Sequence, residues 1–195
     1  MKGQINLGSI CGDTIRDICA CEDMKNIVEI GAWNGEGTTQ CILAGMQKDA
    51  SLWSLECDEK MYDAARKVIP DKANIHLIHG SVVNVEDLDR GSLSEEEELW
   101  LSNDERNMEG LENALPLLPE SIDFLILDGG EFSTRHEFLL LKDRSKVIML
   151  DDTNCRKNKL NKEDLEASEE FDISLDYPNQ RHGWAIYERR ELTND

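Results

Sequence analysis

No run of apolar residues in this 195-residue sequence approaches the roughly 20 that a membrane-spanning helix requires. The opening Met1-Lys2-Gly3-Gln4 does not lead into the apolar core of a secretory signal, so a soluble, cytoplasmic protein is expected with no membrane partner. Paired cysteine ligands are also missing. The six cysteines are scattered, and Cys19 and Cys21 form a C-x-C with no second pair, which argues against a structural zinc site and for reduced, mostly buried thiols. Basic residues are scarce, 21 Lys+Arg against 41 Asp+Glu, for a formal charge of −20. Affinity for nucleic acid comes largely from Lys and Arg on phosphates, so a nucleic-acid partner is disfavoured and small neutral or cationic ligands are favoured. Much of the acidic excess lies between Glu86 and Glu120, including Glu95-Glu96-Glu97-Glu98, and reads as a solvated face.

One domain over residues 1–195 suffices for this length, and neither an internal repeat nor a low-complexity linker divides it. Short β-branched or apolar runs alternate with helix-length segments, the pattern of an α/β fold with a mainly parallel sheet covered on both faces. Parallel strands are expected at Asn26–Ile30, Ser51–Glu56, Asn74–His79, Ile122–Leu127 and Lys146–Leu150. Helices are expected at Thr38–Gln47, Glu59–Ile69 and Phe132–Leu141. Phe171–Asp176 and Gly183–Arg189 have no room between them for a crossover helix and should form an antiparallel hairpin, with Trp184 and Tyr187 in its core. The connection over about 84–120 is long for a βα loop; it reads as an acidic insertion with one or two helices, around Ser94–Leu101 and Asp104–Leu115.

The segment Ile27-Val28-Glu29-Ile30-Gly31-Ala32-Trp33-Asn34-Gly35-Glu36-Gly37-Thr38 runs from a buried strand through a glycine turn into a helix. Its G-x-x-x-G-x-G spacing differs from the G-x-G-x-x-G of a dinucleotide turn, so a dinucleotide is the weaker ligand. Gly31 lets the chain leave the strand, while Gly35 and Gly37 would let a ligand lie against the backbone at the helix start, where N–H groups can hold a carboxylate. Glu29 would offer an acceptor to a cationic amino group. At the end of the second strand Glu56, followed by Cys57, is placed to hold a ribose through its hydroxyls, and Asp58 to start the next helix. After the third strand, Gly80-Ser81-Val82 would edge a purine ring with a hydroxyl and apolar contact.

Together these segments, E-x-G-x-x-x-G-x-G, an acid after strand two and G-S after strand three, resemble the class I S-adenosylmethionine-dependent methyltransferases over nearly the whole chain. The resemblance implies a Rossmann-like, doubly wound sheet of seven strands in the order 3-2-1-4-5-7-6, with the seventh antiparallel. It also implies S-adenosyl-L-methionine as cofactor, contacted by Glu29, Gly31, Ala32, Trp33, Asn34, Gly35, Gly37, Thr38, Glu56, Cys57, Ser81, Val82 and Asp128.

Two further acidic turns follow strands four and five: Asp128-Gly129-Gly130-Glu131 and Asp151-Asp152-Thr153-Asn154. Three carboxylates converging at neighbouring strand ends repel one another unless protonated or joined by a cation, and hard oxygen ligands suit Mg²⁺, Mn²⁺ or Ca²⁺. Alternatively, Asp128 and Asp151 cap turns and Asp152 lies on the surface. The pattern is similar to the metal-dependent O-methyltransferases of catechol, caffeoyl-CoA and macrolide-sugar type, which implies Asp128, Asp151 and Asp152 as ligands of a metal that activates an acceptor hydroxyl. The lysine that serves the catechol enzymes as base is replaced here by Glu131, leaving Glu131, His136 and His182 as candidate bases alongside Asp128. Transfer to a hydroxyl of a sugar or other small molecule is the leading expectation. N-methylation of an amine or protein side chain and a non-catalytic cofactor-binding module are the alternatives. The acidic insertion is expected to form either a wall of the acceptor pocket or the face of a homodimer.

Overall fold

The structure is a computed structural model, and residues 4–190 are described. Seven strands form one sheet: β1 Asn26–Ile30, β2 Ser51–Glu56, β3 Ile75–His79, β4 Ile122–Leu127, β5 Ser145–Asp151, β6 Phe171–Tyr177 and β7 Trp184–Arg189. Their spatial order is β3-β2-β1-β4-β5-β7-β6, as the resemblance implied. The first five strands pair in parallel, and β7 runs antiparallel to both β5 and β6. Six α-helices accompany them among the described residues: α1 Ile10–Cys19, α2 Thr38–Gly45, α3 Glu59–Ala65, α4 Glu95–Met108, α5 Thr134–Leu141 and α6 Arg156–Ala167. None is long and apolar enough to cross a membrane.

The central strands β1 and β4 are buried on both faces because helices cover both, and every residue of β4 is buried. Two apolar clusters result, one on each side of the sheet. Val28, Leu125, Phe138 and Tyr187 belong to the first, and Ile15, Ile27, Phe124 and Trp184 to the second. Trp184 and Tyr187 occupy the core as expected, with Trp184 stacked on Tyr177 at 4.4 Å between ring centroids.

Three features of the elements around the sheet matter for the site. The insertion carries one α-helix, α4, of the one or two expected, and it runs through parts of both expected segments. Ser94 caps it reciprocally with Glu97, Leu101 and Met108 anchor it from one stripe, two turns apart, on the core, and Gly110 turns the chain away at φ +77°. Strand β5 extends to Asp151, which places that carboxylate on the sheet itself. Helices α1 and α6 also escaped the reading. The core-facing stripe of α6 is Lys157, Asn158, Asn161 and Leu165, so its buried side is mainly polar and leaves little apolar periodicity.

Candidate active site

A parallel sheet opens at the carboxyl ends of its strands, where the order reverses about β1 and β4. A cleft of about 380 Å³ lies there, in the size range of a small-molecule site. The turn after β1 supplies Gly31, Ala32, Trp33, Gly37 and Thr38; β2 ends in Glu56 and Cys57; Ser81 follows β3; Asp128 follows β4; and Asp151 and Asp152 close the far side. These expected residues meet in one cleft.

The glycine turn is dictated by close approach of the backbone. Gly31 adopts φ +93°, and a Cβ there would meet the Asp128 carbonyl oxygen at 2.2 Å, so only glycine lets β1 leave the sheet beside β4. Gly35 also needs its positive φ of +73°, but a Cβ at that position would meet Ile69 and Val68. Its role is close packing against the segment that follows α3, a correction to the expectation that it gives a ligand room. Gly37 forms the start of α2, which has no side-chain cap and whose first residue, Thr38, lines the cleft.

Glu56 is 7% exposed. One carboxylate oxygen accepts the Trp33 backbone N–H at 2.7 Å and the other accepts the Asp58 N–H at 2.8 Å. Burial raises its pKa to about 7, against the lowering effect of those two hydrogen bonds. Asp58 caps α3 by accepting the N–H groups of Lys60 and Met61, as the sequence suggested.

Several expected residues stand outside the cleft. The Glu29 carboxylate is fully buried in the sheet, accepting hydroxyl protons from Thr39 at 2.9 Å and Ser54 at 2.5 Å, and burial raises its pKa to about 7. It is enclosed by protein donors, where an external amino group had been expected. Asn34 and Val82 do not line the cleft either, and Val82 belongs to the core. Glu131 accepts the Lys157 backbone N–H at 3.1 Å, holding the first turn of α6. His136 lies on α5 with a buried Nδ1, and His182 lies exposed in the β6–β7 turn; neither lines the cleft. None of these three is placed to act as a base.

Asp128, Asp151 and Asp152 converge, each offering a carboxylate oxygen within 4.8 Å of the others. Two side-chain cations already occupy this group. Lys157 Nζ lies 2.7 Å from Asp128 Oδ1 and 3.0 Å from Asp152 Oδ2, and Arg181 pairs with Asp151 and approaches Asp152 Oδ1 at 3.9 Å. Burial alone would depress the Lys157 pKa, but the surrounding carboxylates, Asp128 foremost, raise it above the ordinary lysine value. Burial and then Asp128 raise Asp151 to about 7. Trp33, Asp152 and Arg181 are the non-glycine residues with positive φ among those described, at 51°, 55° and 54°, and all three line the cleft. Backbone conformations of this kind are uncommon and cluster at functional sites.

The oxygen donors expected for a divalent ion are thus gathered, but the Lys157 ammonium already bridges Asp128 and Asp152. An ion sharing the oxygens of Asp128 and Asp152 would sit within ~5 Å of the ammonium, a repulsion of roughly 7 kcal/mol at an effective dielectric of about 20. In this arrangement the donor set does not fit a metal unless Lys157 is expelled.

Residues outside the expected set complete the cleft. α4 contributes Asp104, Asn107 and Met108, so the insertion is one of its walls, and Glu137 and Arg181 also line it. Burial raises Asp104 to about 6 and Glu137 to about 7. A signal for Lys157 was present in the sequence: Arg156, Lys157 and Lys159 follow the acidic pair closely in a chain short of bases.

No protein-family model and no curated protein matches the sequence. Solved structures do match. An O-methyltransferase from Bacillus cereus in complex with SAH aligns with a TM-score of 0.62 and 17% identity over 96% of this chain and 84% of that one. The SAH-bound methyltransferase PaMTH1 from Podospora anserina gives 0.62 and 17% over 92% and 78%. The O-methyltransferase TomG from Streptomyces achromogenes, involved in tomaymycin synthesis and bound to SAM, gives 0.58 and 11% over 92% and 79%. The chain has the class I methyltransferase fold.

Proposed function

We propose that the cleft binds S-adenosylmethionine and that the protein transfers its methyl group to a hydroxyl of a small molecule, with a sugar as the favoured acceptor. The observation that carries this reading is the placement of Glu56 beside the Gly31–Thr38 turn, with Asp128, Asp151 and Asp152 at the other side of the same cleft. Similar folds bound to SAM or SAH support it.

The Glu56 carboxylate keeps lone pairs for two ribose hydroxyls while its backbone donors fix its orientation. The uncapped start of α2 offers N–H groups to the carboxylate of the methionine moiety. Ser81 and Met108 give the purine a hydroxyl and an apolar surface. In the transfer, the acceptor oxygen forms a bond to the methyl carbon as the carbon–sulfur bond breaks. S-adenosylmethionine, when bound, would supply the electrophilic methyl carbon and a neutral thioether leaving group, and the hydroxyl proton would leave to a carboxylate or to water. The protein contributes alignment and a charged wall that orients the hydroxyl.

The test is an acceptor screen with methyl-labelled S-adenosylmethionine, run with and without chelator. Label on a hydroxyl supports the reading. Label only on amines moves the protein to the N-methyltransferases, and cofactor binding with no transfer to any acceptor makes it a binding module.

A further inference from the structure

The acidic group at the ends of β4 and β5 contains its own counter-ion. Lys157 is 6% exposed, and its neighbours on α6 fix where its ammonium lies. Its backbone N–H is held by Glu131, and the Asn158 amide donates to the carbonyls of Leu127 at 3.1 Å and Asp151 at 2.6 Å, tying α6 to the last residues of β4 and β5. Asn161 in turn donates to Asn158 Oδ1 at 2.8 Å. This polar network occupies the core-facing side of the helix, where apolar residues would ordinarily pack. It delivers one ammonium to the gap between Asp128 and Asp152.

We propose that Lys157 is the resident cation of this centre, its ammonium filling the place a divalent ion would need, so that the acceptor side of the cleft is assembled without metal. Lys157 is a positioning residue in this scheme because it reaches the cleft through Asp128 and Asp152, which line it. Arg181 restrains Asp151 from the opposite side. The Oδ1 atoms of Asp151 and Asp152 are buried and have no hydrogen-bond partner in this arrangement. The consequence for catalysis rests on the methyltransferase reading, whereas the replacement of a metal by an ammonium does not.

The experiment is a Mn²⁺ titration followed by the electron paramagnetic resonance of the free ion, on the wild type, Lys157→Ala and Asp152→Asn, with S-adenosylhomocysteine binding measured in parallel. The wild type should leave Mn²⁺ free, while Lys157→Ala should bind one ion per chain at least ten-fold more tightly. A wild type that binds one Mn²⁺ and loses it in Asp152→Asn would overturn the proposal, as would a folded Lys157→Ala that binds none. If Lys157→Ala does not fold, the wild-type and Asp152→Asn titrations still decide. Failure of S-adenosylhomocysteine to bind the wild type would count against the methyltransferase reading alone.

Discussion

The carboxylate of Glu56 accepts the backbone N–H of Trp33 at 2.7 Å, joining the end of β2 to the turn after β1. The same oxygens that would hold a ribose therefore also fix the glycine turn. Glu56→Ala should weaken S-adenosylhomocysteine binding by about 1.5–3 kcal/mol, roughly ten- to a hundred-fold, through loss of charge-assisted hydrogen bonds. Calorimetry reads this loss, and an unchanged affinity would move the ribose contact elsewhere.

Cofactor affinity should depend on pH through the same residue. The folded Glu56 carboxyl is raised to about 7 by burial, so at pH 6 much of it carries a proton that removes acceptor capacity. Affinity should rise between pH 6 and 8 in the wild type and less steeply in Glu56→Gln. Equal slopes in the two proteins would assign the pH dependence to another group.

Stability should respond to pH in the opposite direction through Glu29. Its folded pKa of about 7 lies above the ordinary glutamate value, so the folded state holds the proton more tightly than the unfolded chain. The contribution is fully present below the unfolded value and is lost as pH rises through about 7. Relative to Glu29→Gln, the wild type should lose melting temperature between pH 5 and pH 8. A difference that stays constant across that range would contradict the assignment.

Gly31→Ala should disrupt the chain more severely than a loop substitution. A Cβ would lie 2.2 Å from the Asp128 carbonyl oxygen at a φ of +93°, where side chains are already strained. Destabilisation above roughly 3 kcal/mol is expected for such a clash at a special backbone conformation. Urea unfolding measures it, and a near-neutral result would show that β1 and β4 can separate without cost.

Lys157 yields the prediction that contrasts most with the metal-dependent resemblance. Turnover on a hydroxyl acceptor should persist in excess chelator. Lys157→Ala, leaving two partly exposed carboxylates without their buried ammonium, should lose stability, by less than the roughly 3–5 kcal/mol of a fully buried pair. Complete loss of wild-type turnover on chelation would return the centre to metal chemistry.

What the sequence revealed follows from how each feature is encoded. The strands were legible because β1, β2, β4 and β5 are short apolar runs bounded by glycine, acids or proline, and the hairpin because no helix fits between β6 and β7. The acids at the strand ends could be placed once the strands were. Helix α6 could not, because Lys157, Asn158 and Asn161 form its buried face and only tertiary contacts explain their burial. Lys157 and Arg181 were missed for the same reason: each meets its carboxylates through the folding of a later element onto the sheet. Gly35 and Glu29 were read by motif position, and packing against Ile69 and bonding to Thr39 and Ser54 give them structural roles instead.

The central claim is that this cleft is a site for S-adenosylmethionine, and titration of the purified protein with S-adenosylhomocysteine in a calorimeter tests it most directly. One site per chain is predicted, weakened by Glu56→Ala and insensitive to chelator. Absence of binding to S-adenosylhomocysteine, with NADH saturating the protein, would contradict it.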